Sequence, residues 1–419
     1  MIPEYHLAIC GTGPANISPL VYLEEENKLD SLLNKGVIAI DKSLNVGLGA
    51  LGEYKITANS IGSVFFEIFK NCDSDLFKFI NKKSSYSKLK EYELTAPPLP
   101  LVGDFLSDIG RFISNKIINN SNSELCLSSQ VTEIKLRTDN KFEVTYQNLL
   151  SPGAPKKILA KNIFFNIGGI QTSLFKNYKF PDGKVVCNSN EFLQGKEDEK
   201  IHELIADRTE PIEISIIGSS HSAFSCLYRF KNHFSLLNPE KSNITLIHRS
   251  PIKLFYNSLD EATSDHYPVD LTEDICKLSG RINRYSGLRY DSFFLGREVL
   301  NNIYPNICLK SVEKLDNNII NSSQIVINAT GYKSNIIEII DNFGRAIPFA
   351  KENGSIITNH NCNPILTNGE YLDNFFTFGL GSGLRTSSEN GGELNYKGRI
   401  DGVWVYQHEV GPRIECLVD

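Results

Sequence analysis

Tyr5 to Leu20 reads YHLAICGTGPANISPL, and this stretch constrains the fold more than any other in the chain. A six-residue β-forming run breaks on Gly11-Thr12-Gly13-Pro14-Ala15-Asn16. Apolar residues at helical spacing follow through NISPLVYLEEENKLDSLLN, and KGVIAID, Lys35 to Asp41, is a second β-run. In such a β-α-β opening the first glycine allows a sharp turn from strand into helix. The second leaves room for a pyrophosphate to approach the helix N-terminus, where free N–H groups and the positive dipole end meet it. Pro14 suits a first helical turn, because its missing N–H had no partner there. Asp41, with Lys42 beside it, ends the second strand where a carboxylate accepts from adenosine ribose hydroxyls. The sequence therefore predicts a dinucleotide site built from Gly11, Gly13, Pro14, Ala15, Asn16, Asp41 and Lys42. Asn16 stands where a third glycine is usual, and Pro19 is expected to bend the helix.

A second unit of the same kind begins at Glu213. EISIIGSSHSAFSCLYRF gives strand, turn and helix, and NITLIHRS gives the next strand. Its turn is Gly218-Ser219-Ser220-His221-Ser222, with Ser220 at the middle glycine's place. The following strand ends in Arg249 rather than an acid, and a guanidinium there suits a 2′-phosphate, which favours NADPH over NADH. A chain of 419 residues exceeds one simple core. The expected class is α/β, with two Rossmann-like dinucleotide-binding domains and β-rich connecting segments. KFEVTYQ and KKILAKNIFF, around the turn signals of SPGAPKK, read as antiparallel ribbons. The last strand, NFFTFGLGSG, returns to the first domain, so that domain is expected to be discontinuous. The predicted division is residues 1–205, a nicotinamide domain at 206–330 inserted after a charged linker around 195–213, and a return at 331–419.

Composition excludes several classes. The formal charge of −6 offers no basic surface for nucleic acid or an anionic membrane. No apolar run reaches the roughly 18 residues of a spanning helix, and no leader pattern opens the chain, so a cytoplasmic protein is expected. Nine scattered cysteines include no CxxC pair, which argues against a disulfide-reductase couple or a zinc site; no metal is expected. NKIINNSNS reads as a surface loop.

Four motifs in order carry a resemblance to the flavin-dependent N-hydroxylating monooxygenases, the relatives of ornithine and lysine N-hydroxylases. GTGPAN resembles their GxGPAN opening, and GSSHSA their GxGxSA nicotinamide motif. The LDE of Tyr256 to Ala262 is similar to the segment after their nicotinamide-site arginine. Asn328-Ala329-Thr330-Gly331-Tyr332 resembles their ATGY motif. Asn188 stands where their linker usually has histidine, and NVGLGALGEYKITANSIGSVFFEIF, Asn45 to Phe69, departs from their Trp-His-containing stretch. The chain is thus identified as a divergent member.

The resemblance implies FAD at the first site, with Gly379 and Gly381 on the last strand giving close backbone approach to the flavin. It implies NADPH at the second, with Ala329, Thr330 and Gly331 joining Gly218, Ser219, Ser220, His221, Ser222 and Arg249. The implied activity is N-hydroxylation of a small polar amine or amino-acid-derived substrate by O₂ through a flavin hydroperoxide. Alternatives are an NADPH-dependent flavin oxidase or reductase, and a non-catalytic flavin-binding redox sensor. The departing segment is expected to border the flavin through Lys55, Asn59 and Ser60. Asn59 is the catalytic candidate, or else the cap of a helix starting at Ile61. Asp265 and His266 form a second candidate pair. NRYSGLRYDSFF, with Arg281 just before it, is either a site for an acidic substrate or a solvated helix or loop. An oligomer is compatible with all of this.

Overall fold

The computed structural model describes residues 2–418 except 152, 172–173, 176–179, 182, 207 and 314–316. Strand β1 (Glu4–Cys10) runs into helix α1 (Pro14–Glu25) and then strand β2 (Val37–Ile40). Pro19 lies inside α1, and the helix runs on through it to Glu25. Helix α2 (Leu99–Asn119) precedes β3 (Glu124–Cys126), β4 (Ser129–Leu136), β5 (Phe142–Asn148) and β6 (Lys156–Phe165). The expected NKIINNSNS loop is therefore half helix. Ile109, Ile113 and Ile117 recur every fourth residue along α2 and are buried, so tertiary packing outweighs the polar composition around them.

Strands β1, β2, β3 and β6 pair in parallel, whereas β4, β5 and β6 form the expected antiparallel ribbon. Val37–Ile40 is buried at all four positions, as befits a strand covered on both faces, while β4 alternates. A second, wholly parallel sheet has the order β10–β9–β8–β11–β7. It comprises β7 (Val185–Asn188), β8 (Ile212–Ile217), β9 (Ser242–His248), β10 (Ile307–Ser311) and β11 (Ile325–Asn328). Helix α3 (His221–Asn232) connects β8 to β9.

Strand β7 comes from upstream of residue 206, so the second sheet draws on chain assigned above to the first part. Nearly half of the stretch read as a linker is the helix Asp198–Ala206. Its Asp198 is held by two nitrogens of Arg229 at 2.9 and 2.8 Å, which pins the helix to the second sheet's core. After β11 the chain returns to the first sheet. There β12 (Glu338–Ile340) pairs with β4, and β13 (Phe375–Phe376) pairs with β6 at Ile163 and Phe164, beyond the point where β5 has left that edge. Only two residues of NFFTFGLGSG are strand; its glycines turn the chain away, with φ of +100° at Gly379 and +97° at Gly381. Each sheet has its own apolar core.

Candidate active site

Both glycine turns open onto one cleft of about 1850 Å³ between the two sheets. That exceeds the roughly 300–1,000 Å³ of an ordinary small-ligand pocket. It is lined from the first unit by Gly11, Gly13, Pro14, Ala15, Asp41 and Lys42, and from the second by Ser220, His221, Ser222, Thr330 and Gly331.

The first turn is shaped for close approach. Gly11 has φ of +91°, and a Cβ there would sit 2.5 Å from the carbonyl oxygen of Asn166, so only glycine fits. Gly13 is the N-cap of α1, and a Cβ on it would meet nothing nearer than Gly49 Cα at 3.8 Å. The free N–H groups of the first helical turn thus face open cleft, as a pyrophosphate requires. The Asp41 carboxylate accepts from Thr12 Oγ1 at 3.1 Å and from Ser43 N at 2.7 Å. Its position at the rim is fixed, and lone pairs remain for a ligand hydroxyl. These features fit the adenosine diphosphate half of FAD.

Asn16 answers why a third glycine is absent. It is fully buried, and its Nδ2 donates to the carbonyls of Cys10 at 3.0 Å and Gly11 at 2.6 Å. Its Oδ1 accepts from Asn166 Nδ2, and Asn166 Oδ1 in turn accepts from Phe378 N at 2.5 Å. Asn16 therefore ties together the ends of β1 and β6 and, through Asn166, Phe378 two residues past β13, and faces away from the cleft. Gly379 and Gly381 also bring protein, not open space, close to the backbone. A Cβ on the first would meet Ala15 Cβ at 3.0 Å, and one on the second Ser334 Cα at 2.4 Å. Neither glycine lines the cleft; Phe378 and Leu380 do.

The second turn is tighter around its scaffold and less open at its tip. Gly218, φ +136°, abuts the Ala329 carbonyl, 2.5 Å from where a Cβ would lie. Ala329 is buried, and Ser219 donates to Ser250 O at 3.2 Å, so both act within the turn's framework. Ser220 is the N-cap of α3, and its hydroxyl makes no cap hydrogen bond. His221 follows, with no partner for its buried Nε2; burial, then the nearby Arg289 charge, lowers its pKa to about 4. The imidazole is neutral at physiological pH. Thr330 Oγ1 donates to Asn328 Oδ1 at 2.8 Å, while Arg249 is exposed just outside the cleft lining.

The departing segment behaves differently from expectation. Lys55 pairs with Asp198 at 3.2 Å and leaves the cleft. Asn59 and Ser60 line it, and Asn59 caps nothing: the helix there is Ser63–Phe66 with Gly62 as N-cap. Of this segment's glycines, Gly47 packs against α2, where a Cβ would fall 2.3 Å from Leu106 O, while Gly49 abuts Pro14 and lines the cleft. Asp265 is occupied by Tyr256 Oη at 2.7 Å and by Arg297, and so supports the fold beside His266.

Contacts that no local pattern announced close the cleft. Tyr54 Oη donates to Asn190 Oδ1 at 2.5 Å and lies 3.0 Å from Tyr332 Oη, joining the departing segment to the ends of the adjacent strands β7 and β11. Burial raises the pKa of both phenols, which keeps them protonated as donors. Arg281, Arg284, Tyr285 and Arg289 line the cleft as well, so the basic stretch is not a solvated helix.

No protein-family model matches the chain. The CMP-5′-(3-aminopropyl)phosphonate hydroxylase of Streptomyces rubellomurinus is 28% identical over 429 residues, covering 97% of this chain and 96% of that protein. The ornithine hydroxylase of Pseudomonas aeruginosa superimposes with a TM-score of 0.59 at 14% identity, over 99% of both chains. The FAD-bound cadaverine monooxygenase of Erwinia amylovora does so at 0.55 and 14%, over 89% of this chain and 87% of that one. In sequence the chain is similar to an aminopropylphosphonate-conjugate hydroxylase, and in fold to amine monooxygenases. At that level of identity the solved structures speak for the fold, and the two-domain arrangement of these flavin monooxygenases is the one described above.

Proposed function

We propose that this chain is an FAD- and NADPH-dependent monooxygenase that hydroxylates the nitrogen of an amine on a small polar substrate. The observation that carries the reading is the single cleft onto which two strand–glycine–helix turns open, one from each sheet. A hydride donor and a flavin must meet, and this arrangement brings two dinucleotides into one space. The named relatives and neighbours act on an aminopropylphosphonate conjugate, ornithine and cadaverine, all of them amines.

Gly11, Gly13 and the first turn of α1 would hold the FAD pyrophosphate, and Asp41 its ribose. The turn at Ser220–Ser222, with Thr330 and Gly331 opposite, would hold NADPH, with Arg249 at the 2′-phosphate. Bound there, FAD would supply acceptance of a hydride from NADPH and activation of O₂ for oxygen transfer. The protein's own share is to orient both cofactors, to limit water, and to receive the amine in its neutral form. A site of low polarity lowers an amine's pKa and so supplies the lone pair that attacks. Asn59, on the wall of the cleft, is the candidate for hydrogen bonding to the reacting groups.

The test is a visible spectrum of purified protein reconstituted with FAD, taken before and after anaerobic NADPH. It is followed by aerobic turnover with amines, scored for hydroxylamine and for hydrogen peroxide. Bleaching with amine-dependent hydroxylamine formation supports the reading. Bleaching with peroxide alone from every amine would make the chain a flavin oxidase, and flavin bands that ignore NADPH would leave a flavin-binding sensor.

A further inference from the structure

Arg281, Arg284 and Arg289 enter the cleft from one loop, and among the described residues no carboxylate forms an ion pair with any of them. Arg284 Nη1 donates to Asn390 O at 3.1 Å and lies 3.7 Å from Cys276 Sγ. Arg289 donates to Arg284 O, and its guanidinium lies 4.1 Å from the centre of the Phe255 ring. Burial lowers the pKa of Arg289, and the charges of Arg281 and Arg284 add to that lowering. Cations brought together without a counter-ion repel one another and are costly to desolvate, so an anion that enters the cleft relieves them.

The loop is held in place from the C-terminal part of the chain. Glu393, fully buried, accepts from Tyr285 N at 3.0 Å, from Ser286 N at 2.7 Å and from Ser286 Oγ at 2.7 Å. Its carboxylate is taken up by this backbone and is turned to positioning the arginines. The same C-terminal segment contributes Arg385. One of its nitrogens donates to Lys397 O at 2.7 Å and pairs with Glu352 at 3.3 Å, while Nε and Nη2 are buried without an acceptor. Tyr285 and Tyr396, ring centres 5.8 Å apart, join the two groups of arginines along one wall. Unfilled donors on Arg385, beside three arginines that no carboxylate pairs among the described residues, match a multiply charged phosphoryl oxyanion better than a single carboxylate.

We infer that Arg281, Arg284 and Arg289, with Arg385, form a recognition site for a phosphate or phosphonate group carried by the amine substrate. The inference rests on the amine-hydroxylating reading above. The phosphoryl chemistry has a second source, the phosphates of NADPH. The second turn already offers the helix N-terminus at Ser220–Ser222 to a pyrophosphate, and Arg289 stands near its His221, so variants at Arg281 and Arg284 separate the substrate's group from NADPH.

The test uses the full chain reconstituted with FAD. Binding of 3-aminopropylphosphonate, inorganic pyrophosphate and n-propylamine is measured by calorimetry, together with the dissociation constant of NADPH. Wild type should bind the two phosphoryl probes and not n-propylamine. Arg281→Gln, at an exposed position, and Arg284→Gln should each weaken the phosphoryl probes by roughly tenfold or more, the scale of one charged hydrogen bond, with NADPH affinity unchanged. Arg289→Lys keeps the charge at the buried position and should lose less than Arg289→Gln. Equal binding of n-propylamine, or arginine variants that weaken NADPH alone, would overturn the inference. Hydroxylation of n-propylamine without a phosphoryl preference would leave the proposed activity standing and remove only this site. Tight, arginine-dependent phosphonate binding without any amine oxidation would do the reverse.

Discussion

Gly13 and Ser220 occupy equivalent places, each the N-cap of the helix that follows its sheet's first turn, each with extended backbone. Around Gly13 the cleft is open to the backbone; at Ser220 a side chain already stands there. The acid after the first turn, Asp41, is pinned by Thr12 and Ser43, whereas Arg249 after the second is exposed and lies outside the cleft lining. Behind each turn the scaffold is equally strict, because Gly11 and Gly218 both press on a neighbouring strand's carbonyl. The difference fits the proposed roles, a turn already shaped to hold FAD and a more loosely framed one for a coenzyme that must leave. Preorganisation lowers the cost of binding, and a loosely framed site permits release.

The sharpest way to break this comparison is a matched pair of substitutions. Gly13→Val should leave protein that cannot retain FAD, measured as the ratio of flavin to protein absorbance after gel filtration. Ser220→Val, adding to an existing Cβ, should keep the flavin and raise the KM for NADPH only severalfold. Equal flavin retention by both variants would sink the assignment of the first turn. Next, Asn16→Ala should cost about 2–4 kcal/mol in chemical denaturation. It strips donors from two buried carbonyls and the partner from Asn166. Added FAD should still bind, because Asn16 faces away from the cleft; loss of flavin with unchanged stability would reverse that reading.

A smaller effect is expected at the exposed rim. Arg249→Ala should raise the KM for NADPH about tenfold, one charge-assisted hydrogen bond's worth, and leave NADH unchanged. Parallel changes for both coenzymes would show that Arg249 does not read the 2′-phosphate. An effect confined to acid pH lies with His221. Its folded-state pKa of about 4 is below the usual histidine value near 6.5. Its neutral form therefore contributes stability that is present above about pH 6.5 and is lost as pH falls toward 4. Thermal melts of wild type should show this fall, and His221→Gln should flatten it. An unchanged slope would mean that the ring is already solvated.

Much of this was legible locally. The two strand–glycine–helix turns, the antiparallel ribbon and the return of the chain to the first sheet follow from alternation, apolar runs and glycines at fixed offsets, which are properties of neighbouring residues. The reading fell short where meaning depended on distant contacts. At Gly379 and Gly381 the close neighbours are Ala15 and Ser334, residues far away in the chain. Lys55 is drawn away by Asp198, and the polar run at 115–119 is helix because Ile113 and Ile117 are buried. The arginine wall looked like either a binding site or a solvated surface until Glu393, more than a hundred residues away, was seen to fix its loop.

The sequence by itself determined the local geometry: where strands stop, where only glycine can turn, and which helix N-termini are left open. Those are short-range steric and hydrogen-bonding requirements, satisfied within a few residues. The tertiary structure alone decided which of these features share a space. Tyr54 meeting Asn190 and Tyr332, Asn16 meeting Asn166, and three arginines without an ion pair among the described residues lining the same cleft as both turns depend on long-range packing of separate cores. No pattern of neighbours encodes that, because burial and charge pairing are set by what the rest of the chain brings near.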